Sequence, residues 1–317
     1  MSIEEQKPSV RTIPTKQSQP TFLEGDHLKQ AANELMEEIL DRILVDQSGV
    51  PTFCDSNLLE LIKKLQQLDK KLPWEESVRR LGSEGEILAG PLTLLQRFLW
   101  RRSQGRFVDF QDRLVHTPEG PSSDSDIGMI EAAMSQGVSE CMRWKSVPLF
   151  KTVYDFSIYT MMLWSLRPKT IIELGSGIGA SAVWLADMMK VCEIEGHIYS
   201  VDLKKSALEH NGVTFLRGNC MEIEKVFEDK FLRSAPHPWL LIEDAHVNVY
   251  GVLSFFHPYV LQGDYVVVED TMNPGKREAI STFMTERPGL YKVDTYYTDF
   301  FGRNATCSRD SIFARLL

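Results

Sequence analysis

The sequence predicts an α/β protein: a doubly wound, mostly parallel sheet with an antiparallel C-terminal edge, preceded by an added N-terminal helical domain. Three observations carry this. From Lys169 onward, short apolar runs ending in polar or acidic residues alternate with helical patterns, which is the signature of parallel βαβ units. A glycine-rich stretch follows directly on the first of those runs. Before about residue 120 the apolar residues recur instead at helical spacing.

In chain order, residues 1–22 are polar and rich in Pro, Ser, Thr and Gln, with little to bury, and are expected to be a disordered tail. Residues 23–120 are expected to form the helical domain. Leu35, Ile39 and Ile43 with Met36, Leu40 and Leu44 repeat at i, i+3, i+4 spacing. In SNLLELIKKLQQLDKKL, Ser56 or Asn57 is a plausible N-cap and Pro73 closes the run; WEESVRRL and PLTLLQRFLWRRS read as further helices. Charged pairs here, Lys63-Lys64 and Arg101-Arg102, read as solvated faces. Amphipathic helices without a site usually pack on a neighbouring domain or subunit, so homo-oligomer formation is expected through this region. HTPEGPSSDSD, residues 116–126, has turn composition and marks the boundary. Residues 121–168 are then a lid or connecting segment and 169–317 the catalytic domain.

Within 169–317, TIIEL, HIYSVD, VTFL, WLLIED and DYVVVED read as buried strands. SAVWLADMMKV, KSALEH, MEIEKVFEDKFL and VYGVLSFFHPYVL read as helices between them, and YKVDTYYTDFF with SIFARLL as an antiparallel pair closing one edge. In such sheets ligands bind outside the carboxyl ends of the strands, where the acidic residues fall.

Composition narrows the partners. The 35 Lys+Arg against 44 Asp+Glu give a net charge of -9 with no basic block, which argues against nucleic acid or an anionic membrane surface. No run of 18 apolar residues occurs, and the N-terminus has no apolar core. Five scattered cysteines without ligand spacing read as reduced thiols of a cytoplasmic protein. A small-molecule acceptor is left as the expected partner.

The sharpest motif is IIELGSGIGASAVWLAD, residues 171–187. Gly175, Ser176, Gly177 and Gly179 lie between a strand and a helix, so the backbone turns tightly and approaches a ligand with no side chain intervening. Such turns serve both dinucleotides and S-adenosylmethionine, and Ala180 can complete the dinucleotide spacing from Gly175. Glu173 discriminates better: a carboxylate there suits the methionine amino group and repels a pyrophosphate. Asp202 ends the next strand, placed to accept from both ribose hydroxyls. Asn219 and Cys220 in LRGNC follow the third strand, near the adenine position; Asn219 reads equally well as a strand-end turn residue.

A second constellation is WLLIEDAHVN with Glu243, Asp244 and His246, and GDYVVVED with Glu269 and Asp270. Both acidic pairs end adjacent parallel strands and are expected to converge. Four carboxylates together would repel one another, and a hard cation such as Mg²⁺, which takes oxygen ligands, resolves that. His246 is the expected general base. Helix capping is the structural alternative for the carboxylates, and His237 and His257 read as structural.

On these residues the sequence resembles a known group. W-K-S-V-P, D-F-S-I-Y, R-P-K-T-I-I-E-L-G, I-E-D-A-H and G-D-Y-V-V-V-E-D, between Trp144 and Asp270, are similar to the cephalosporin hydroxylase-like family of class I methyltransferases, with macrocin-type sugar O-methyltransferases as more distant relatives. The resemblance implies a Rossmann-like seven-stranded sheet and S-adenosylmethionine- and Mg²⁺-dependent methylation of a hydroxyl on a natural-product scaffold, as in antibiotic biosynthesis, with an acceptor that can be carrier-tethered. By position it implies Glu243, Glu269 and Asp270 as metal ligands, Asp244 in reserve, and His246 as base. Trp144, Lys145, Pro148, Asp155 and Tyr159 fall in the segment implied to close over the cofactor; packing on the sheet is the alternative for Trp144 and Tyr159. Two other functions are compatible with the residues: a nicotinamide-dependent oxidoreductase using the same turn, and a cofactor-binding, non-catalytic partner in a two-protein system.

Overall fold

A computed structural model describes residues 105–117 and 120–317, together with His27, Gln30, Ala31, Glu34 and Glu38. The chain divides into two compact units, Met1–Gln96 and Arg97–Leu317. In the first, the five described residues are helical, with Gln30 Nε2 donating to Glu34 Oε1 at 3.0 Å. The expected tail, the other N-terminal helices and their role in assembly lie outside the described residues.

The second unit is built on one sheet. Its strands are β1 (Phe107–Val108), β2 (Thr170–Leu174), β3 (His197–Asp202), β4 (Val213–Arg217), β5 (Trp239–Glu243), β6 (Tyr265–Val268), β7 (Tyr291–Asp294) and β8 (Ile312–Arg315). Their order is β1-β7-β8-β6-β5-β2-β3-β4. Strands β4 to β6 pair in parallel, and β8, β7 and β1 add on antiparallel. This is the expected mostly parallel sheet with an antiparallel edge. Helices α1 (Val153–Leu166), α2 (Ala180–Val191), α3 (Asp229–Ser234), α4 (Val249–Phe256) and α5 (Pro274–Thr285) flank it. Chain order runs outward from β2 to β4 on one side and from β5 to β6 on the other, so the crevice lies between the carboxyl ends of β2 and β5.

Strand alternation sorts the side chains into two cores. Ile172, Leu174, Leu241, Val266 and Val268 pack with Val252, Phe256, Ile280 and Phe283 of α4 and α5. Ile171, Leu240, Ile242 and Val267 pack with Ile158, Met162 and Trp184 of α1 and α2. Buried on both faces, these strands read as continuous apolar runs. Among the described residues no helix is long and apolar enough to cross a membrane.

Several expectations are corrected. The sheet has eight strands, because Phe107–Val108 pairs with β7, so the chain enters the sheet ahead of residue 120. Residues 205–210 are irregular, and 220–234 divide into a 3₁₀ turn (Cys220–Lys225) and α3. Helix α5 was absent from the sequence reading, although Asn273 as N-cap and Pro274 in the first turn announce it.

Arg113 fastens the early segment. Its Nε donates to Asp310 Oδ1 at 2.6 Å and its terminal nitrogens to Asp299 at 2.9 and 2.7 Å, all buried. Arg113→Ala leaves two buried carboxylates short of their cation and is expected to cost about 3–5 kcal/mol, read as a fall in urea midpoint at unchanged m-value.

Candidate active site

The glycine turn leaves β2 at the crevice. Gly175 has φ +91°, and a Cβ there would lie 2.5 Å from the carbonyl carbon and oxygen of Asp244, so the turn lies directly against the chain leaving β5. Gly175 N–H donates to Val201 O at 2.8 Å and Gly179 N–H to Ser176 O at 2.8 Å, closing the turn before α2. Asp202 Oδ2 accepts the N–H of Gly177 at 2.8 Å. The aspartate expected at the ribose thus also holds the glycine loop.

Glu173 sits beneath this turn, 2% exposed. It accepts from Ser200 Oγ at 3.1 Å, and burial pushes its carboxyl up against the opposing pull of Lys151. Asn219 caps the 3₁₀ turn, its Oδ1 accepting from Met221 N–H at 3.0 Å. Cys220 is buried, its thiol pushed up to about 11 by burial, and its carbonyl accepts from Asn248 Nδ2 at 3.0 Å.

The acidic pairs do not converge as four. Alternation turns Glu243 toward α5 and Asp244 and Glu269 toward α1. Glu243 is fully buried on Lys276, Oε2 to Nζ 3.0 Å, with Oε1 accepting from Ala245 N–H at 3.0 Å; burial pushes its carboxyl up and Lys276 opposes this. Glu269 accepts from Lys151 Nζ on one oxygen and from Tyr159 OH on the other at 2.5 Å. Burial and the nearby Asp244 push it up to about 8. Neither Glu243 nor Glu269, both expected as metal ligands, has a free oxygen at the rim.

Asp244, His246 and Asp270 meet instead, with one donor atom from each lying within 4.8 Å of the others. His246 Nε2 is 3.7 Å from Asp244 Oδ1 and 3.5 Å from Asp270 Oδ2. Backbone geometry makes this possible: His246 has φ +59°, Asn248 +51° and Asp270 +51°, a left-handed conformation that non-glycine residues rarely adopt and that clusters at functional sites. Of the residues expected as ligands, Asp270 and the reserve Asp244 belong to this cluster, while Glu243 and Glu269 lie outside it. Lys151 and Lys276 were missed in the sequence because a lysine carries no strand-end signal.

The segment before α1 forms a hairpin, Arg143–Trp144 with Val147–Pro148. Trp144 Nε1 and Lys145 Nζ donate to Asp187 of α2 at 2.7 and 2.8 Å. Asp155 is buried at the start of α1, accepting from Cys307 N–H at 3.2 Å. Tyr159 packs edge-on to Trp184 while its hydroxyl serves Glu269. His237 pairs with Asp264 at 2.8 Å and His257 with Tyr291 at 2.9 Å. A cleft of ≈ 300 Å³ opens beside the acidic rim, lined by His246, Asn248, Tyr250, Asn273 and Lys276 among others.

A glycine turn and an acidic, histidine-bearing rim at one topological switch point are the layout of a nucleotide-cofactor enzyme, and the family match makes it a methyltransferase. The chain belongs to the Rhamnosyl O-methyltransferase/CmcI family, which it matches over residues 136–301. It is similar to a rhamnosyl O-methyltransferase of Mycobacterium bovis, 27% identical over 178 residues, 50% of this chain and 73% of the relative. One from Mycobacterium leprae is 27% identical over 177 residues, 50% of this chain and 77% of the relative. Similar solved structures include an apo CmcI, 23% identical, covering 68% of this chain and 99% of that one at a TM-score of 0.49. A CmcI with Mg and SAM is 21% identical, with coverages of 68% and 99% and a TM-score of 0.49. Membership in an O-methyltransferase family favours S-adenosylmethionine over the nicotinamide alternative.

Proposed function

We propose that this methyltransferase moves the methyl group of S-adenosylmethionine to a hydroxyl of a small natural-product intermediate, assisted by a divalent cation, Mg²⁺ foremost. The observation that carries this is the meeting of Asp244, His246 and Asp270 beside the glycine turn. The charges support a divalent ion. Lys276 pairs with Glu243, and Lys151 is shared between Glu269 and Oδ2 of Asp244, so the rim keeps Asp244 Oδ1 and the Asp270 carboxylate, the oxygen donors that Mg²⁺ prefers.

Asp244 and Asp270 would hold the cation. When bound, the cation supplies Lewis acidity toward the acceptor hydroxyl and S-adenosylmethionine supplies an already activated methyl. The chain's own residues do the rest. Backbone of the loop from Gly175 to Gly179, pinned by Asp202, receives the cofactor. His246, half-exposed beside both aspartates, takes the hydroxyl proton as the oxygen attacks in line. Since the methyl is already activated, positioning supplies most of the acceleration. The cleft beside His246 gives the acceptor room within the usual range of small-molecule sites. The rhamnosyl acceptor in the relatives' names makes a sugar hydroxyl the first to test.

Calorimetry of the full chain with S-adenosylmethionine, S-adenosylhomocysteine and NAD separates the cofactors. Binding of the first two, and mass gain of one methyl group on a glycoside acceptor that stops with EDTA and resumes with Mg²⁺, is the expected result. NAD binding without S-adenosylmethionine binding, or turnover indifferent to EDTA, overturns it.

A further inference from the structure

We infer that Lys151 is the positioning residue of the cation site: it holds Asp244 by Oδ2, leaving Oδ1 presented to His246 and Asp270. This rests on the divalent-cation reading above. Lys151 immediately precedes Thr152, which caps α1 by accepting from Asp155 N–H, so its backbone is anchored. The side chain is 5% exposed and its Nζ reaches Asp244 Oδ2 at 3.3 Å and the nearer Glu269 Oε2.

Two consequences follow from one cation touching two carboxylates. Glu269 is withdrawn from the rim, because Lys151 occupies Oε2 and Tyr159 occupies Oε1. Asp244 is engaged on one oxygen only, and its other oxygen is the one facing His246. An aspartate side chain unsupported at Oδ2 turns about χ2, whereas this arrangement fixes the plane of the carboxylate and so aims one oxygen at the rim. Groups that orient metal ligands in this way typically contribute 10–100-fold in metal affinity. Loss of the lysine charge alone would act in the opposite direction and tighten a cation, so the two explanations predict opposite signs.

The test is Mn²⁺ affinity of the full chain by electron paramagnetic resonance, with no acceptor or turnover involved. Lys151→Met should weaken Mn²⁺ binding about 10–100-fold, and Lys151→Arg, which keeps a cationic donor, should recover part of the loss. Because Lys151→Met strands Glu269 in the interior, the double variant Lys151→Met/Glu269→Gln removes that charge as well and should show the same weakening with a restored melting temperature. Unchanged or tighter Mn²⁺ binding in the folded variants overturns the positioning role alone. Failure of the unaltered chain to bind Mn²⁺ overturns both this role and the cation reading.

Discussion

Asp270→Asn is expected to remove detectable divalent-cation binding and to lower methyl transfer at least about 100-fold, the upper end of what groups around a metal contribute, while S-adenosylmethionine affinity stays within about threefold of the parent. The substitution preserves size and one acceptor oxygen, and replaces the other oxygen and the charge with a neutral N–H donor that cannot ligate a cation. Asp270 lies at the rim with His246 Nε2 at 3.5 Å, so the variant removes the rim carboxylate that Lys151, engaged on Asp244 and Glu269, does not touch. The control is Glu243→Ala. Glu243 is buried on Lys276 at 3.0 Å, so its loss strands a buried lysine and should cost about 3–5 kcal/mol of stability. Mn²⁺ titration and urea unfolding of both variants check this: Asp270→Asn should move the first and spare the second, and Glu243→Ala should do the reverse. If Glu243→Ala abolished cation binding at unchanged stability, the assignment of the rim to Asp244 and Asp270 would be wrong.

That contrast also shows where the sequence was legible. Apolar runs buried on both faces announce parallel strands wherever they occur, and the five from Thr170 to Val268 are where their composition placed them. The glycine turn was legible for the same local reason. Which carboxylate of each pair reaches the rim is not local. It depends on strand parity, on the lysine that each face supplies, and on a left-handed backbone at His246 and Asp270. Lys151 lies 93 residues from Asp244 in sequence, and only the fold brings the two together. Phe107–Val108 escaped the reading because a two-residue strand has no period, and its place is set by β7 rather than by its own composition.

Gly175→Ala should have the second large effect, because it joins the cofactor loop to the acidic rim. Its φ of +91° is strained for any side chain, a cost of about 1–3 kcal/mol. The added Cβ would also meet Asp244 C and O at 2.5 Å and Ala245 N at 2.6 Å. These are backbone atoms, which cannot rotate aside as a side chain can, so the chain between Asp244 and His246 must shift. Both S-adenosylmethionine and Mn²⁺ affinities are therefore expected to fall together, on the order of 10-fold or more for each, since Asp244 and His246 ride on the displaced segment. Gly177→Ala isolates the strain. Gly177 has φ +54° and nothing within 4 Å of a Cβ, so only the left-handed cost of about 1–2 kcal/mol remains, with Mn²⁺ affinity unchanged within twofold. Calorimetry of both ligands on both variants reads the difference directly. Equal loss of Mn²⁺ binding in the two would mean that the rim does not depend on the packing of Gly175 against Asp244.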